Sequence, residues 1–325
     1  MTEVLELKDV CAEAARRGGA VLRERWGMAR TIEWKGGIDL VTDADRASEA
    51  ALLAFLRGRV PSAAILAEES GQSGGAGELR FYVDPLDGTT NYAHGVPHFA
   101  VNVAVADARG LVAGATYDPL RDELYTAARG AGAFLGADRL RHSGRAELRG
   151  SLLVTGFPYD IHENHDEPLR LFGAFIRRAQ AVRRFGSAAL DLAYVAAGRF
   201  DGFWELKLKP WDVAAGIVIA REAGAIVTDV AGGDRMLETG DIVAASPALA
   251  PAMLDVISAE RARAGAVASR KSMASSDSGS MYRPSTRALQ WRWGPVARPV
   301  APSRPMRAPR ATGCPGRTSM RSRWK

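Results

Sequence analysis

The octet Asp84-Pro85-Leu86-Asp87-Gly88-Thr89-Thr90-Asn91 constrains this chain more than any other stretch. It puts two carboxylates three positions apart on a turn, directly after the apolar run 79–83. Pro85 fixes φ and gives up a backbone donor, Gly88 permits a sharp bend, and two hydroxyls and an amide follow at once. Asp oxygens are hard ligands suited to Mg²⁺, and backbone N–H groups after a glycine turn suit an oxyanion. Taken alone, Asp, Pro, Gly and Asn are also ordinary turn residues, so the octet gains force only with partners elsewhere.

Two such partners stand out. Glu68-Glu69-Ser70 lies sixteen residues upstream, after the apolar run 63–67, and Trp211-Asp212-Val213-Ala214-Ala215-Gly216 puts an Asp near the start of an apolar helix. With the octet, these stretches resemble the inositol monophosphatase family of Mg²⁺-dependent, lithium-sensitive phosphatases. Lys35 with Asp39-Leu40-Val41-Thr42-Asp43-Ala44-Asp45, and Gly186-Ser187-Ala188-Ala189, agree with it. The resemblance covers roughly residues 3 to 262 in the family's order.

The resemblance implies a layered α/β/α/β/α sandwich of the sugar-phosphatase type, with the active site between its halves. It also implies a metal site of two to three Mg²⁺ ions. Glu68, Asp84 and the Leu86 carbonyl would hold the first ion, and Asp84, Asp87 and Asp212 the second, with Asp84 bridging. Thr89 would orient the attacking water with Asp45 behind it, and Lys35 would stand near the metal waters or phosphate. Gly88 and Thr89 would offer N–H groups to the phosphate. The alcohol half would meet Asp87, Gly186, Ser187, Ala188, Glu205 and Asp212.

Several of these residues have structural alternatives. Asp212 in a first helical turn favours the helix dipole, and Thr42-x-x-Asp45 resembles a capping box with Asp for Glu. Ser187 is a plausible N-cap, and Lys35 an exposed lysine. Glu69 is expected to be solvated or to support a ligand rather than be one, because adjacent strand residues point to opposite faces. The Lys207 and Lys209 pair is expected to face solvent. His94 and His98 stand four apart, but Val96-Pro97 between them argues against a helix presenting both.

The 325 residues, 47% hydrophobic and 25% charged, allow a sizeable globular core. No apolar run reaches the roughly eighteen residues of a membrane span, and the acidic N-terminus lacks the basic start and apolar centre of a signal peptide. Cys11 and Cys314 alone suggest neither a disulfide framework nor a cysteine metal site. A cytoplasmic protein is the expectation. The net charge of +6 is misleading: residues 261–325 carry 15 Lys or Arg against Asp277 alone, and the remainder holds 28 basic and 36 acidic residues. Any nucleic-acid contact is therefore expected only through the tail.

Helical spacing of Val4, Leu7, Val10, Ala14, Val21 and Leu22 predicts a first helix ending near Trp26-Gly27. A second helix is predicted from Thr42 through Leu56, stopped before Pro61. Strands follow around 64–67, 79–83, 100–106, 111–117, 122–127 and 133–135. The second half reads as strands at 151–156, 181–184, 200–205, 225–229 and 242–245 with helices at 164–179, 187–197, 211–223 and 247–262. The expectation is an α+β subdomain over 1–150 with most metal ligands, an α/β subdomain over 151–263, and a basic, disordered tail over 264–325. Trp291 and Trp293 are the tail's only hint of docking.

The substrate expected is a small phosphorylated polyol, inositol monophosphate first. Histidinol phosphate, fructose 1,6-bisphosphate and adenosine 3′,5′-bisphosphate are alternatives, since fold does not fix substrate. The resemblance implies a homodimer. A regulatory or RNA-associated protein on the same fold is the competing class, with the basic tail as its electrostatic handle.

Overall fold

The computed structural model describes residues 2–28 and 31–277. Residues 2–276 belong to one compact unit. Trp291, Trp293 and Cys314 lie outside the described residues.

The chain opens with α1 (Thr2–Arg25), whose face of Leu7, Val10, Cys11, Ala14 and Leu22 is buried. A hairpin of β1 (Ile32–Gly36) and β2 (Asp39–Thr42) leads into α2 (Asp43–Arg59). Thr42 caps α2 by accepting the Ala44 N–H, and Asp45 accepts the Thr42 N–H in return. Then come β3 (Ala64–Ala67), β4 (Gly71–Gly74), β5 (Arg80–Asp87), α3 (Thr89–Ala93), β6 (Ala100–Asp107), β7 (Gly110–Asp118), β8 (Glu123–Ala128), β9 (Gly132–Leu135) and β10 (Asp138–Arg139). These form an eight-stranded sheet in the order β10-β9-β8-β7-β6-β5-β3-β4. The run from β5 to β10 is an antiparallel meander, and β3 pairs with β5 in parallel.

The second half supplies β11 (Leu152–Thr155), α4 (Asp166–Ile176), β12 (Ala181–Arg183), α5 (Ala188–Ala196), β13 (Gly202–Glu205), α6 (Pro210–Glu222), β14 (Ile226–Thr228), α7 (Met236–Thr239), β15 (Ile242–Ala245) and α8 (Ala250–Asp277). Its five-stranded sheet runs β12-β11-β13-β15-β14, parallel at β12-β11-β13 and antiparallel beyond.

Three apolar clusters stack these elements. Leu22, Leu52 and Leu56 of α1 and α2 pack on Ile65, Phe81, Val83, Val101 and Val103 of the large sheet. The opposite face of that sheet, with Ala100, Ala104 and Tyr125, meets Leu190, Leu192, Ile217 and Ile219 of α5 and α6. Those helices cover Val154, Phe203 and Ala244 of the small sheet. Its far face packs Leu153 and Trp204 against Phe175 of α4 and Met253 of α8. The result is the expected α/β/α/β/α layering. Burial of strands on both faces explains why β6 reads as a continuous apolar run. Gly216 lets α6 approach α5, because a Cβ there would lie 2.5 Å from Leu192 Cδ1.

Several elements differ from expectation. The β1–β2 hairpin is unpredicted, since all five β1 residues are exposed and show no alternation. The strand expected to stop at Val83 continues through Asp87. The last helix passes Arg263, where the tail was expected to begin, and reaches Asp277. Among the described residues no helix is long and apolar enough to cross a membrane.

Candidate active site

The octet is strand, bulge and turn in succession. β5 pairs with β6 at Asp84↔Asn102 and next at Asp87↔Ala100, so β5 advances three residues while β6 advances two. Such a bulge re-aims side chains, and it falls on Pro85, which has no N–H for the ladder. The Leu86 N–H donates to Asp84 Oδ1 at 2.9 Å, and the Ser48 hydroxyl donates to the Pro85 carbonyl at 2.9 Å. Gly88 turns the chain at φ +95°, where a Cβ would stand 3.1 Å from the carbonyls of Gly186 and His98. α3 follows directly, starting at Thr89.

Glu68 follows the end of β3, its N–H donating to the Val83 carbonyl of β5 at 3.1 Å. Asp212 lies in the first turn of α6, where its carboxylate accepts the Lys209 N–H at 2.7 Å. Asp212 thus caps α6 as well as standing in its first turn, where the helix dipole favours it. Asp84 is 1% exposed. Burial holds its carboxyl well above the usual range, and Glu68, Asp87 and Asp212 raise it further. Asp212 is raised by burial and then by Glu68. Glu68 is pushed up by burial, against the Lys35 ammonium. Asp87 is raised by burial, against hydrogen bonds from Ser187, Ala189 and Ala188.

These four acids thus crowd one another in a low-dielectric setting. Buried charges of that kind are paired or bind metal, so the donor set fits hard divalent cations. Among the described residues, no three acidic, His or Cys side chains converge closely enough to ligate one ion as they stand. Protein donors engage all four: Lys35 for Glu68, the Leu86 N–H for Asp84, Ser187 for Asp87 and the Lys209 N–H for Asp212.

Lys35, on β1, reaches Glu68 Oε1 at 2.9 Å and Glu69 Oε1 at 2.6 Å. Burial works against its charge, but the two carboxylates outweigh it and raise its pKa. The argument that Glu68 and Glu69 point to opposite faces does not hold. Both lie beyond the end of β3, where strand alternation no longer applies, and both meet one ammonium.

Thr89 donates its hydroxyl to Asp45 Oδ1 at 3.0 Å, with the Leu86 carbonyl also at 3.0 Å. Asp45 Oδ2 accepts from the Thr42 N–H and hydroxyl. One carboxylate thus caps α2 and holds Thr89. Asp45 is fully buried, and burial raises it to about 6.

In the stretch expected to meet the alcohol, Ser187 caps α5 by accepting the Leu190 N–H at 3.3 Å, and its hydroxyl donates to Asp87. The Ala189 N–H adds a bond to the same Asp87 oxygen at 2.8 Å. The Gly186-Ser187-Ala188 stretch therefore ties Asp87 to a helix start. Glu205 ends β13 and is 7% exposed, and burial raises it to about 8, with Arg184 opposing and Asp87 adding. A Cβ on Gly156 would stand 2.1 Å from Glu205 Oε1, so this carboxylate lies directly on the backbone after β11. Lys207 and Lys209 are exposed, as expected, and Lys207 pairs at the surface with Asp160 at 2.6 Å.

Sequence reading missed Asn102. Fully buried on β6, its amide donates to the carbonyls of Trp211 at 2.7 Å and Asp212 at 3.0 Å, and its oxygen accepts from Thr116 at 2.7 Å. It fixes the start of α6 on the large sheet. Its one signal was an amide inside the apolar run 100–106. Asp191 on α5 is also buried, and among the described residues neither of its carboxylate oxygens has a hydrogen-bond partner. Burial, then Glu205 and Asp87, hold it well above the usual range.

Comparison with known proteins agrees with this geometry. The family model described as inositol monophosphatase family matches residues 3–263. Nus factor SuhB of Salmonella typhimurium is 44% identical over 248 residues, 75% of this chain and 93% of that protein. The crystal structure of extragenic suppressor protein suhB from Bartonella henselae superposes with a TM-score of 0.74 at 41% identity, covering 77% of this chain and 97% of that one. Inositol monophosphatase from Anabaena gives a TM-score of 0.71 at 40% identity, over 78% and 96%. A match from Glu3 to Arg263, spanning both sheets and every acid of the crowded cluster, means that this chain belongs to the inositol monophosphatase family.

Proposed function

We propose that the chain is a Mg²⁺-dependent phosphomonoesterase that hydrolyses inositol monophosphate to inositol and phosphate. The observation that carries this reading is the crowding of Glu68, Asp84, Asp87 and Asp212: burial raises all four, and Glu68 and Asp87 push Asp84 and Asp212 up further. Glu68, Asp84, the Leu86 carbonyl, Asp87 and Asp212 would hold two to three Mg²⁺ ions, with Asp84 shared. Such ions neutralise a phosphate dianion and acidify water.

The chain's own residues do the rest. Thr89 presents its hydroxyl oxygen to the attacking water while its proton is committed to Asp45. Asp45, held near 6, is an acceptor poised close to neutral pH. The N–H groups of Gly88 and Thr89 are read as phosphate donors. Lys35 neutralises Glu68 and Glu69 until the site is loaded. Glu205 is read as the acceptor for polyol hydroxyls, whereas the Ser187 hydroxyl is already given to Asp87. A panel of inositol 1-phosphate, histidinol phosphate, fructose 1,6-bisphosphate and adenosine 3′,5′-bisphosphate, at fixed Mg²⁺ with and without lithium, tests the reading. A large preference for another ester overturns the choice of substrate.

Similarity to proteins named Nus factor SuhB favours a second reading, in which the same scaffold also works with transcription partners. The basic residues beyond 261 would serve it electrostatically. Deleting residues 278–325 separates the two: hydrolysis should survive, and salt-sensitive RNA binding should vanish. A homodimer is likewise proposed, checked by light scattering.

A further inference from the structure

Away from the acid cluster, a cavity of about 370 Å³ opens at the far end of α6. Asp212 stands in the first turn of that helix, whereas Arg221 and Glu222, which line the cavity, end it. At 1.5 Å per residue, Arg221 lies about 14 Å along the helix from Asp212. The volume falls in the range of small-molecule pockets, roughly 300–1,000 Å³. Its floor is apolar: Ile217 of α6 and Met236 of α7 are buried, and Leu111 of β7 is half-buried.

Three arginines from separate elements stand around that floor: Arg109 on the β6–β7 turn, Arg221 at the end of α6 and Arg235 just before α7. Arg109 gives Nη2 to Asp107 at 3.3 Å, and Arg235 gives Nε to Glu238 at 2.8 Å. Arg221 gives Nη2 to the Val227 carbonyl at 2.9 Å and to Asp234 at 2.6 Å. Among the described residues, the other guanidinium nitrogens of these three meet no acceptor. Asp234 and Glu238 are 76% and 66% exposed. Ion pairs so open to water stabilise little, so an incoming anion can take the place of either carboxylate. The frame behind is fixed. Arg129 bonds Asp107 at 3.1 Å through both terminal nitrogens, and the Gly110 and Leu111 carbonyls at 2.8 and 2.7 Å, holding the turn that carries Arg109. Glu222 accepts the N–H groups of Gly130 and Gly132, each at 2.8 Å, so both its oxygens are committed to the wall.

We propose that this cavity is a second binding site, separate from the acid cluster, for a small phosphate monoester with an apolar or aromatic body. The apolar body covers Leu111, Ile217 and Met236, and the phosphate meets Arg109, Arg221 and Arg235 at the mouth. Guanidinium groups bind oxyanions through paired N–H donors. Three of them, coming from three sides, suit the three terminal oxygens of a phosphate better than the two of a carboxylate. Concave shape and modest volume favour a small molecule over a protein segment. The site needs no metal, and it stands whether or not the acid cluster hydrolyses phosphate esters.

The probe is phenylphosphonate, which cannot be hydrolysed as an ester, added to the full chain in chelator so that no Mg²⁺ bridges it to the acid cluster. Calorimetry should show saturable binding at one site. Arg109→Gln and Arg221→Gln should each weaken it about tenfold, the scale of a charge-assisted hydrogen bond, with phosphate release from inositol 1-phosphate in Mg²⁺ within twofold of the parent. Either variant binding as tightly as the parent would overturn the proposal. Arg109 lies on an exposed turn, so its variant should keep the parent's melting temperature even if Arg221→Gln, which loses a bond to Val227, does not. A second readout uses the parent itself. With ¹³C-methyl methionine, the resonance missing from the Met236→Leu spectrum should shift on adding phenylphosphonate, through the ring current of the bound phenyl group, and shift less with methylphosphonate. An unmoved Met236 resonance overturns the proposal. Benzoate binding as tightly as phenylphosphonate overturns the assignment to a phosphate.

Discussion

The hydroxyl of Thr89 donates to Asp45 at 3.0 Å across 44 positions of sequence, and the same carboxylate accepts the N–H of Thr42 at the start of α2. The residue proposed to orient the nucleophile is thereby fastened to a helix cap. Thr89→Ala should lower kcat by about 10²-fold or more, the usual scale of a positioned proton acceptor, with Mg²⁺ affinity by calorimetry within twofold of the parent. Asp45→Asn should also lower the melting temperature, because an amide cannot accept from both Thr42 and Thr89 on the same terms as a carboxylate. An Asp45→Asn protein with unchanged stability would contradict the dual role.

Asn102 holds the carbonyls of Trp211 and Asp212, so it sets where Asp212 stands. Asn102→Ala strands those carbonyls and the Thr116 hydroxyl, and should destabilise the fold by about 1–3 kcal/mol. Mg²⁺ affinity should fall with it although Asn102 is not a ligand. Denaturant unfolding and calorimetry on one sample check both effects.

Ser187 separates two roles. Its hydroxyl caps α5 and donates to Asp87. Ser187→Ala should cost about 1 kcal/mol in unfolding free energy and leave KM for the ester within twofold. A several-fold rise in KM at unchanged stability would return Ser187 to the alcohol pocket.

The pH dependence has a definite sign. Burial raises Glu205 to about 8, and Asp84 and Asp212 well above their ordinary values. Above about pH 6.5 the unfolded chain has released those protons and the native protein retains them, so the native state binds more protons and stability falls as pH rises. The slope is about 1.4 kcal/mol per retained proton per pH unit. His98, lowered from 6.5 to about 4 by burial, acts in the opposite sense only below that window. In chelator the melting temperature should drop between pH 6.5 and 8, and excess Mg²⁺ should flatten the drop by favouring the charged carboxylates. A melting temperature in chelator that climbs over this range would contradict the crowding.

The layered fold was legible wherever the apolar signal was strong, periodic in α1 and continuous in β6 and α6. It was hidden where packing supplied no period. β1 is exposed throughout, and β4 is Gly71-Gln72-Ser73-Gly74, so neither carries a strand pattern. β5 was cut short at Val83 because Asp and Pro are poor strand residues, yet a bulge accommodates both. The acids of the candidate site could be named from motif alone. Their protein partners could not, since Lys35 with Glu69, Ser187 with Asp87 and Asn102 with α6 meet only through tertiary contact.

The central claim is that the crowded acids hold a divalent cation for phosphate-ester hydrolysis. Phosphate release from inositol 1-phosphate by the full chain and by Asp84→Asn, each in Mg²⁺ and in chelator, tests it most directly. The account predicts turnover by the parent in Mg²⁺ alone and none by Asp84→Asn. Turnover that persists in chelator, or that Asp84→Asn retains, would contradict it.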